Sequence, residues 1–372
     1  MKINGAHYRS IALSDNGWSV RIIDQRQLPW NLVIVELTSA AMASQAIREM
    51  WTRGAPLIGA TAAYGLCMAL REDPSDRCLE MCHQMLLNAR PTAVNLQWAL
   101  QRVKRSVMSL RGQQRIEAAY ACAAAICDED VANNRAIGEH GLKLIRELEA
   151  RSNVVNILTH CNAGALATVD YGTALAPIYL AHQAGIPIHV WVDETRPRNQ
   201  GALLTAYELS QQGVRHTVIA DNAGGLLMQQ GKVDLCLVGA DRVVRNGDVC
   251  NKIGTYLKAL AARDNQVPFY VALPYSTFDA SHDSGAEIVI EERASDEMTW
   301  IQGQASGGDV LSVRLTESQA ANPAFDITPA RLISGYITER GVVKNIAAAP
   351  GTPATTLTSV TTDRPGDQTA DD

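Results

Sequence analysis

Two reactive side chains directly follow short apolar segments of this 372-residue chain. Cys161 follows residues 154–160, and Asp241 follows a second apolar run that begins at Val233. A short, continuous apolar run bounded by glycine is typical of a strand that is buried on both faces. An acid is expected at the end of such a strand when the strand tip faces a cleft. Cys161 and Asp241 are therefore the first candidates for catalytic residues.

The position of Cys161 allows two interpretations. The next residues, Asn162-Ala163-Gly164, are predicted to begin a helix. A helix N-terminus lowers the pKa of a thiol and favours anions, so the sulfur would be activated there. The alternative is a buried cysteine that only fills space. Position alone does not decide between them.

Asp241 also has alternative roles. It could cap a helix or pair with the adjacent Arg242. At the tip of an apolar strand, however, desolvation would raise the pKa of the carboxyl group. Such a group could then act as an acid or a base near neutral pH.

A possible phosphate site lies at Arg53-Gly54-Ala55-Pro56, which is predicted to open a helix. Glycine gives backbone freedom and proline suits a first helical turn, so exposed N–H groups and the guanidinium group could hold an anion. Close packing of small residues is the alternative. Neither a Walker sequence nor a GxGxxG sequence after a strand occurs, so neither a nucleoside triphosphate nor a dinucleotide cofactor is indicated. Further donors for an anion could come from Arg90, Asn251 and Lys252.

From residue 153 onward, segments typical of strands alternate with segments typical of helices. The predicted strands are residues 154–160, 186–192, 214–220, 233–239 and 267–273, and the predicted helices are 165–184, 201–212, 224–230 and 252–263. This alternation indicates a mostly parallel sheet, which residues 287–290 and 332–343 are predicted to extend. The first four strands all end in polar side chains beside small residues. Because ligands bind at the carboxyl ends of parallel strands, this edge is predicted to form the cleft.

The first 150 residues have a different pattern. Residues 17–29 are predicted to form a hairpin or arm, and helices are predicted at 41–50, 58–70, 76–89, 93–110, 115–127 and 131–150. We therefore predict an α/β protein with a helical N-terminal domain (1–150) and a domain built on a mostly parallel sheet (151–348). Residues 349–372, rich in threonine, proline, glycine and aspartate, are predicted to be a disordered tail.

Composition excludes several classes of function. The net charge is −6 and no basic stripe occurs, so neither nucleic acid nor an anionic membrane is expected as a partner. No apolar run has the length of a membrane span, and residues 1–30 lack the apolar core of a signal peptide, which favours a cytoplasmic location. The eight cysteines are scattered. We therefore expect reduced thiols and no metal site.

Six long motifs resemble those of the methylthioribose-1-phosphate isomerase family. They are RGAPLIGATAAYG (53–65), RPTAVNLQWAL (90–100), ILTHCNAGALAT (157–168), VWVDETRPRNQGALLTAYEL (190–209), LVGADRVVRNGDVCNKIGTYLKA (237–259) and NPAFDITPARLISGYITERGV (322–342). The wider family also contains ribose-1,5-bisphosphate isomerases and the regulatory subunits of eukaryotic translation initiation factor 2B.

The resemblance implies a Rossmann-like C-terminal domain, a homodimer and a small sugar phosphate as substrate. It implies conversion of 5-methylthioribose 1-phosphate to 5-methylthioribulose 1-phosphate in methionine salvage, with no metal or organic cofactor. By motif, Cys161 and Asp241 match the catalytic pair, with Asp241 as proton donor. The substrate-binding positions are matched by Arg53, Gly54, Ala55, Arg90, Gln200, Asn251 and Lys252.

Two alternatives remain open. The chain could isomerise another sugar 1-phosphate, such as 5-deoxyribose 1-phosphate or ribose 1,5-bisphosphate. It could also be a non-catalytic regulatory subunit, although such a protein would not need both Cys161 and Asp241. The sequence also leaves open whether hydrogen moves from C2 to C1 as a proton, with Cys161 as base, or as a hydride.

Overall fold

The computed structural model describes residues 1–90 and 93–348 of the chain. The predicted disordered tail, residues 349–372, lies outside this part. Within the described residues, no helix combines the length and the apolar character needed to cross a membrane.

The N-terminal region starts with short antiparallel strands and continues as helices. The strands are β1 (Lys2–Ile3), β2 (Ala6–His7), β3 (Ile11–Leu13), β4 (Val20–Ile23) and β5 (Ile34–Leu37), and the helices are α1 (Ala40–Arg48), α2 (Ala55–Glu72), α3 (Asp76–Leu87), α4 (Val94–Val107) and α5 (Gly112–Glu149). Helix α2 is apolar on all sides and is buried along most of its length. It therefore forms the centre of the helical region, as expected for a helix without a polar face.

The C-terminal region alternates strands and helices. Its elements are β6 (Val155–Thr159), α6 (Leu175–Gln183), β7 (Ile188–Asp193), α7 (Ala206–Gln211), β8 (His216–Ile219), α8 (Ala223–Gln229), β9 (Leu235–Val238), β10 (Arg242–Val244), β11 (Val249–Lys252), α9 (Thr255–Asp264), β12 (Phe269–Ala272), β13 (Phe278–Asp279), α10 (Asp296–Thr299), β14 (Trp300–Gln304), β15 (Val310–Arg314), β16 (Phe325–Thr328), β17 (Gly335–Thr338) and β18 (Gly341–Val343).

The main sheet has seven strands in the order β18-β17-β12-β9-β6-β7-β8. All neighbours are parallel except β17 and β18. The chain moves outward from β6 through β7 to β8 and then returns to β9 on the other side of β6. The order of the six parallel strands is that of a Rossmann fold, and the strand order reverses between β6 and β9. The predicted α/β class with a mostly parallel, Rossmann-like sheet is confirmed.

A second sheet lies beside the first and was not predicted. Its strands have the order β13-β10-β11-β16. They are two to four residues long, and β13 and β16 pair with segments that are distant in sequence, so they give little local signal. A separate hairpin, β14–β15, carries exposed apolar side chains.

Helix α5 connects the two regions. Residues of its first half, such as Ala119 and Ile126, belong to the core around α2. Ile137 and Ile145, in its second half, belong to the core on one face of the main sheet. The domain boundary at residue 150 stays a prediction.

Two helix predictions for the N-terminal region are wrong in their boundaries. Residues 115–127 and 131–150 belong to one helix, α5, because the segment between them contains neither glycine nor proline. Asp130 in that segment is buried, and its Oδ2 accepts hydrogen bonds from Val169 N (2.8 Å) and Asn134 Nδ2 (3.0 Å). The predicted hairpin at 17–29 contributes one strand, β4, to the three-stranded sheet β3-β4-β5.

Three predictions for the C-terminal region also need correction. The helix predicted at 165–184 is a short 3-10 turn (Ala165–Ala167) followed by α6, because Tyr171 and Gly172 have positive φ values of 66° and 81°. The helix predicted from residue 252 begins at Thr255, after Gly254 with φ of 103°. Residues 287–290 do not join the sheet, and Val289 is 79% exposed, whereas residues 332–343 supply β17 and β18 as predicted.

Candidate active site

Cys161 and Asp241 lie at the carboxyl ends of β6 and β9, the two strands between which the strand order reverses. The strands pair directly, with Leu158 opposite Cys236. Thr159 Oγ1 donates to Leu237 O (2.8 Å) across the same pair. In open parallel sheets the ligand-binding crevice forms at this place.

The backbone at Cys161 is held in an unusual conformation. Cys161 and Thr195 both have positive φ values, 65° and 63°. Cys161 N donates to Thr195 Oγ1 (2.9 Å), and Thr205 Oγ1 donates to Cys161 O (2.7 Å). The Cys161 thiol points to Gln200, with 3.6 Å between Sγ and Oε1. Left-handed non-glycine residues cost free energy and concentrate at functional sites, so these contacts fix the sulfur at a strained turn.

Arg53 extends from the start of α2 toward the residue that follows Cys161. Its guanidinium nitrogens lie 2.5–3.1 Å from Asn162 O and Asn162 Oδ1, to which they donate. Gly54 has φ of 91° and precedes the first turn of α2, which no side chain in the described part of the chain caps. The free N–H groups of this turn and the positive end of the helix suit an anion.

The remaining predicted residues add polar groups from other elements. Asn251 and Lys252 lie on β11, where Lys252 Nζ donates to Ala324 O (2.9 Å) and stands 4.5 Å from the ring centre of Phe325. Asn251 Nδ2 donates to Thr255 Oγ1 (3.1 Å). Arg90 Nε lies 3.6 Å from Glu291 Oε2.

One cavity is lined by every residue that the sequence singled out. These residues are Arg53, Gly54, Ala55, Arg90, Cys161, Gln200, Asp241, Asn251 and Lys252. The helical region contributes Arg53, Gly54, Ala55 and Arg90. Cys161, Gln200 and Asp241 follow strands β6, β7 and β9 of the main sheet, and Asn251 and Lys252 lie on β11 of the second sheet. The structure thus brings them together, while their individual roles stay predictions.

Burial changes the acidity of the two candidate catalytic groups. Both keep part of their surface open to the cavity and are otherwise enclosed by protein. Desolvation raises the pKa of the Asp241 carboxyl, and the charges of Lys252, Arg90 and Arg53 oppose this shift in part. A raised pKa extends the pH range in which Asp241 carries a proton, as a proton donor requires.

The sequence left open whether a helix N-terminus activates Cys161, and the structure provides no such activation. Burial raises the pKa of this thiol, although Arg53 and Lys252 act in the opposite direction. Only the 3-10 turn Ala165–Ala167 lies between Cys161 and α6, which starts at Leu175, so the N-terminus of an α-helix does not activate the sulfur. The thiol is therefore mostly protonated at neutral pH.

Two of the basic residues that line the cavity, Lys252 and Arg53, are destabilised as cations. Burial lowers the pKa of Lys252 and of Arg53, while the nearby Cys161 and Asp241 oppose the shift. Arg53 is only 4% exposed. A bound anion would restore part of the lost solvation of these cations.

Comparison with known proteins identifies the family. The model of the Initiation factor 2 subunit family matches residues 51–345. The chain belongs to this family. The protein named methylthioribose-1-phosphate isomerase of Acidiphilium cryptum (strain JF-5) is 63% identical over 346 residues, which cover 92% of this chain and 94% of that protein. The resemblance inferred from the motifs is thereby confirmed.

Solved structures of family members share the fold. The crystal structure of 5-methylthioribose 1-phosphate isomerase from Pyrococcus horikoshii OT3 has a TM-score of 0.78 and 39% identity, and the match covers 91% of this chain and 92% of that chain. The translation initiation factor eIF-2B, subunit delta, from A. fulgidus has a TM-score of 0.74 and 37% identity, with 90% and 96% covered.

A second polar cluster lies next to Cys161 and includes the preceding residue, His160. His160, Asp193 and Asp221 bring possible metal-ligand atoms within 4.8 Å of one another. However, Lys258 Nζ lies 3.0 Å from Asp193 Oδ2. His160 Nδ1 faces the same carboxylate oxygen (2.8 Å), and Nε2 faces Ile253 O (2.8 Å). Because the carboxylate already contacts a cation and both ring nitrogens face protein acceptors, the cluster fits a support for the Cys161 turn better than a metal site.

Sequence reasoning missed several groups that hold the site together. Asn162, Thr195 and Thr205 contact Arg53 or the Cys161 backbone, and the buried Glu208 contacts Asn162. A signal was present for Glu208, because it lies four residues after Leu204 and hence on the same face of the helix. A charged residue on the apolar face of a helix indicates a side chain that is buried and has hydrogen-bond or ion-pair partners.

Proposed function

We propose that the chain is an aldose–ketose isomerase that converts 5-methylthio-α-D-ribose 1-phosphate to 5-methylthio-D-ribulose 1-phosphate in methionine salvage. The observation that carries this proposal is the position of Cys161 and Asp241 on the two sides of the strand switch point, in one cavity with Arg53 and the start of α2. The relatives named methylthioribose-1-phosphate isomerase support the same activity.

The phosphate group is assigned to the basic side of the cavity. Arg53, Arg90 and Lys252 supply positive charge, and the first turn of α2 at Gly54 and Ala55 supplies N–H groups. Gln200 and Asn251 are proposed to bind hydroxyl groups of the sugar, because amide side chains both donate and accept hydrogen bonds.

The proposed first step is ring opening. The anomeric oxygen of the substrate carries the phosphate, so the sugar cannot open by itself as a free aldose does. Asp241 donates a proton to the ring oxygen, and the bond between that oxygen and C1 breaks. The raised pKa of Asp241 suits this role.

The second step moves hydrogen from C2 to C1 while the C2 hydroxyl loses its proton and becomes the carbonyl group. In one route Cys161 removes a proton from C2 and an enol forms. In the other route a hydride passes directly from C2 to C1, the C2 hydroxyl proton returns to Asp241, and Cys161 packs against the reacting carbons. We propose the hydride route, because the Cys161 thiol faces the Gln200 amide oxygen (3.6 Å) as a donor and burial raises its pKa, so that little thiolate is present to act as a base.

The route is tested with substrate that carries deuterium at C2. The hydride route predicts that the product keeps the deuterium at C1, as measured by proton NMR and mass spectrometry. Loss of the deuterium to solvent would assign the proton route. Undeuterated substrate in deuterated water serves as the control for exchange in the product.

The activity is tested with purified protein and three sugar phosphates: 5-methylthioribose 1-phosphate, 5-deoxyribose 1-phosphate and ribose 1,5-bisphosphate. Formation of the C2 ketone is followed by carbon NMR. The proposal predicts the highest kcat/KM for the methylthio compound. Faster turnover of either other sugar would replace the substrate assignment. Absence of turnover with all three would favour a non-catalytic subunit, a function that agrees with the structural similarity to the A. fulgidus protein.

We also propose a homodimer. Leu226 on α8 and Leu257 on the neighbouring α9 are 55% and 65% exposed, and large exposed apolar side chains on adjacent helices are typical of an interface. Sedimentation is expected to give a dimer for the wild type and a monomer for Leu257→Glu. A monomeric wild type would contradict the proposal.

The proposed location is the cytoplasm. All eight cysteines carry free thiols in the structure, which suits a reducing compartment. Cell fractionation with antibody detection tests this assignment.

A further inference from the structure

The carboxylate of Glu208 is buried directly behind the proposed phosphate site. The residue is 2% exposed and lies on α7. Four groups donate hydrogen bonds to its two oxygens: Tyr179 OH (2.9 Å), Asn162 Nδ2 (2.9 Å), Ala165 N (2.8 Å) and Leu166 N (3.1 Å). A side chain at Gly164 would collide with this carboxylate, so the loop can approach it only with glycine there. A buried acceptor with four donors is well satisfied as a carboxylate.

Glu208 determines how the Asn162 amide is oriented. Because the carboxylate accepts but cannot donate, it requires the nitrogen of the amide, and Thr205 Oγ1 contacts the same nitrogen at 3.1 Å. The amide oxygen must then face the other way. On that side it accepts from both terminal nitrogens of Arg53, each at 2.9 Å.

Arg53 is thereby held by neutral acceptors. Among the residues that the structure describes, the hydrogen bonds of its guanidinium group all go to Asn162 O and Asn162 Oδ1. A carboxylate in direct contact with Arg53 would compete with an anionic substrate for the same donors. Glu208 contacts Arg53 only through Asn162. Its negative charge favours the buried cation, after the larger contributions of Cys161 and Asp241, without a direct contact to the guanidinium group.

We propose that Glu208 is a positioning residue that acts through Asn162, holding the Arg53 guanidinium in place and serving as its remote counter-ion so that Arg53 can bind the substrate phosphate. This inference rests on the proposed function only for the identity of the anion. The contacts themselves do not depend on which sugar is turned over.

The central variant is Glu208→Gln, which keeps the size of the side chain and removes the charge. The NH2 group of the new glutamine would face the NH2 group of Asn162, and two donors repel each other. We therefore expect the Asn162 amide to turn, so that its oxygen faces residue 208 and its NH2 group faces Arg53. We expect the affinity for inorganic phosphate, measured by calorimetry, to fall by about tenfold or more. KM for the sugar phosphate should rise by a similar factor, and kcat should change less.

Tyr179→Phe is the matched control. It removes one donor from the same carboxylate but leaves the charge and the Asn162 contact in place. Phosphate affinity should change by less than about threefold in this variant. A decrease as large as that of Glu208→Gln would mean that the packing around Glu208, and not its action on Asn162, supports binding, and would overturn the proposal.

A double-variant cycle with Arg53→Lys separates positioning from general stability. If Glu208 acts through Arg53, Glu208→Gln should weaken phosphate binding by less than about threefold once Arg53 is replaced. An equal loss in both backgrounds, or unchanged phosphate affinity in a folded Glu208→Gln variant, would overturn the inference. If Glu208→Gln does not fold, Asn162→Ala tests the same contact: weakened phosphate binding supports the proposal, and unchanged binding overturns it. Turnover by the wild type tests the proposed function separately, because the phosphate titration requires no catalysis.

Discussion

Asp241 and Lys252 line the same cavity and lie at the two ends of the β10–β11 hairpin. Asp241 follows β9 of the main sheet, and its backbone N–H donates to Cys250 O (3.0 Å) on β11. Lys252 ends β11. The antiparallel pair β10–β11 therefore returns the chain to the tip of β9 and places an ammonium group near the carboxyl group. Desolvation raises the pKa of Asp241, and Lys252 is the foremost charge that opposes this shift.

The electrostatic effect of Lys252 on Asp241 predicts the pH dependence of turnover. Activity that requires the protonated carboxyl group is present below its pKa and is lost as the pH rises through it, so kcat/KM should decrease on the alkaline side. Replacing Lys252 by Met removes a charge that favours the carboxylate, so this decrease should shift to higher pH even though binding is weaker. Asp241→Asn should reduce kcat by about 100-fold or more. A pH profile that is unchanged or shifted to lower pH in Lys252→Met would contradict this role.

The thiol of Cys161 is expected to be required. Cys161→Ser changes one atom at the strained turn and keeps a hydroxyl group that can bond to Gln200. Because the sulfur lies against the proposed position of the reacting carbons and a small displacement there misaligns the transfer, we expect a loss of about 100-fold or more in kcat. Cys122→Ser, at a half-exposed position on α5, is the control and should keep wild-type activity. Near-normal turnover of Cys161→Ser would remove this residue from the mechanism.

Gly54 and Gly112 form a matched pair for testing the start of α2. Both have positive φ, 91° and 53°. A Cβ atom on Gly54 would collide with the backbone of Ala167, whereas no atom lies within 4 Å of one on Gly112. Gly112→Ala should cost about 1 kcal/mol of unfolding free energy through backbone strain alone. Gly54→Ala should lower the unfolding free energy by about 1–3 kcal/mol more than Gly112→Ala does, and it should raise KM, because the first turn of α2 must move. Urea unfolding and steady-state kinetics measure both effects, and equal costs for the two variants would contradict the contact.

The buried Asp130 predicts a pH-dependent stability. Burial raises its pKa to about 7, well above the ordinary value of 3.8. The folded state therefore binds a proton that the unfolded state lacks, and this contribution is lost as the pH rises through 7. Between pH 5 and pH 8, the wild type should lose about 3 kcal/mol more unfolding free energy than Asp130→Asn. Equal losses in the two proteins, measured by urea unfolding at both pH values, would argue against a buried, protonated Asp130.

The sequence predicted the features that depend on local pattern. The apolar runs before Cys161 and Asp241 are buried strands, and polar strand tips at one edge of a parallel sheet meet in a crevice. The raised pKa of Asp241 also followed from its position after such a strand. These predictions succeeded because they depend on the pattern of apolar and polar residues within a short segment of the sequence.

Features that depend on contacts between distant residues could not be predicted. Lys252 was assigned to a helix because β11 has only four residues and pairs with β16, which is far along the chain. The sequence could not decide whether the Cys161 thiol is activated, because the turn that follows it is shaped by contacts with the distant Thr195 and Thr205. For Glu208 the sequence held a signal for burial in its spacing from Leu204, but the partners that satisfy the buried carboxylate are distant in sequence and only the structure shows them.

The most direct test of the central claim is a crystal structure of Cys161→Ser with bound 5-methylthioribose 1-phosphate. The proposal predicts the ring oxygen of the sugar within about 3 Å of the Asp241 carboxyl group. It also predicts the phosphate at the first turn of α2, in contact with Arg53, and C1 and C2 beside residue 161. A sugar phosphate bound outside this cavity, or with another acid nearest to the ring oxygen, would contradict it.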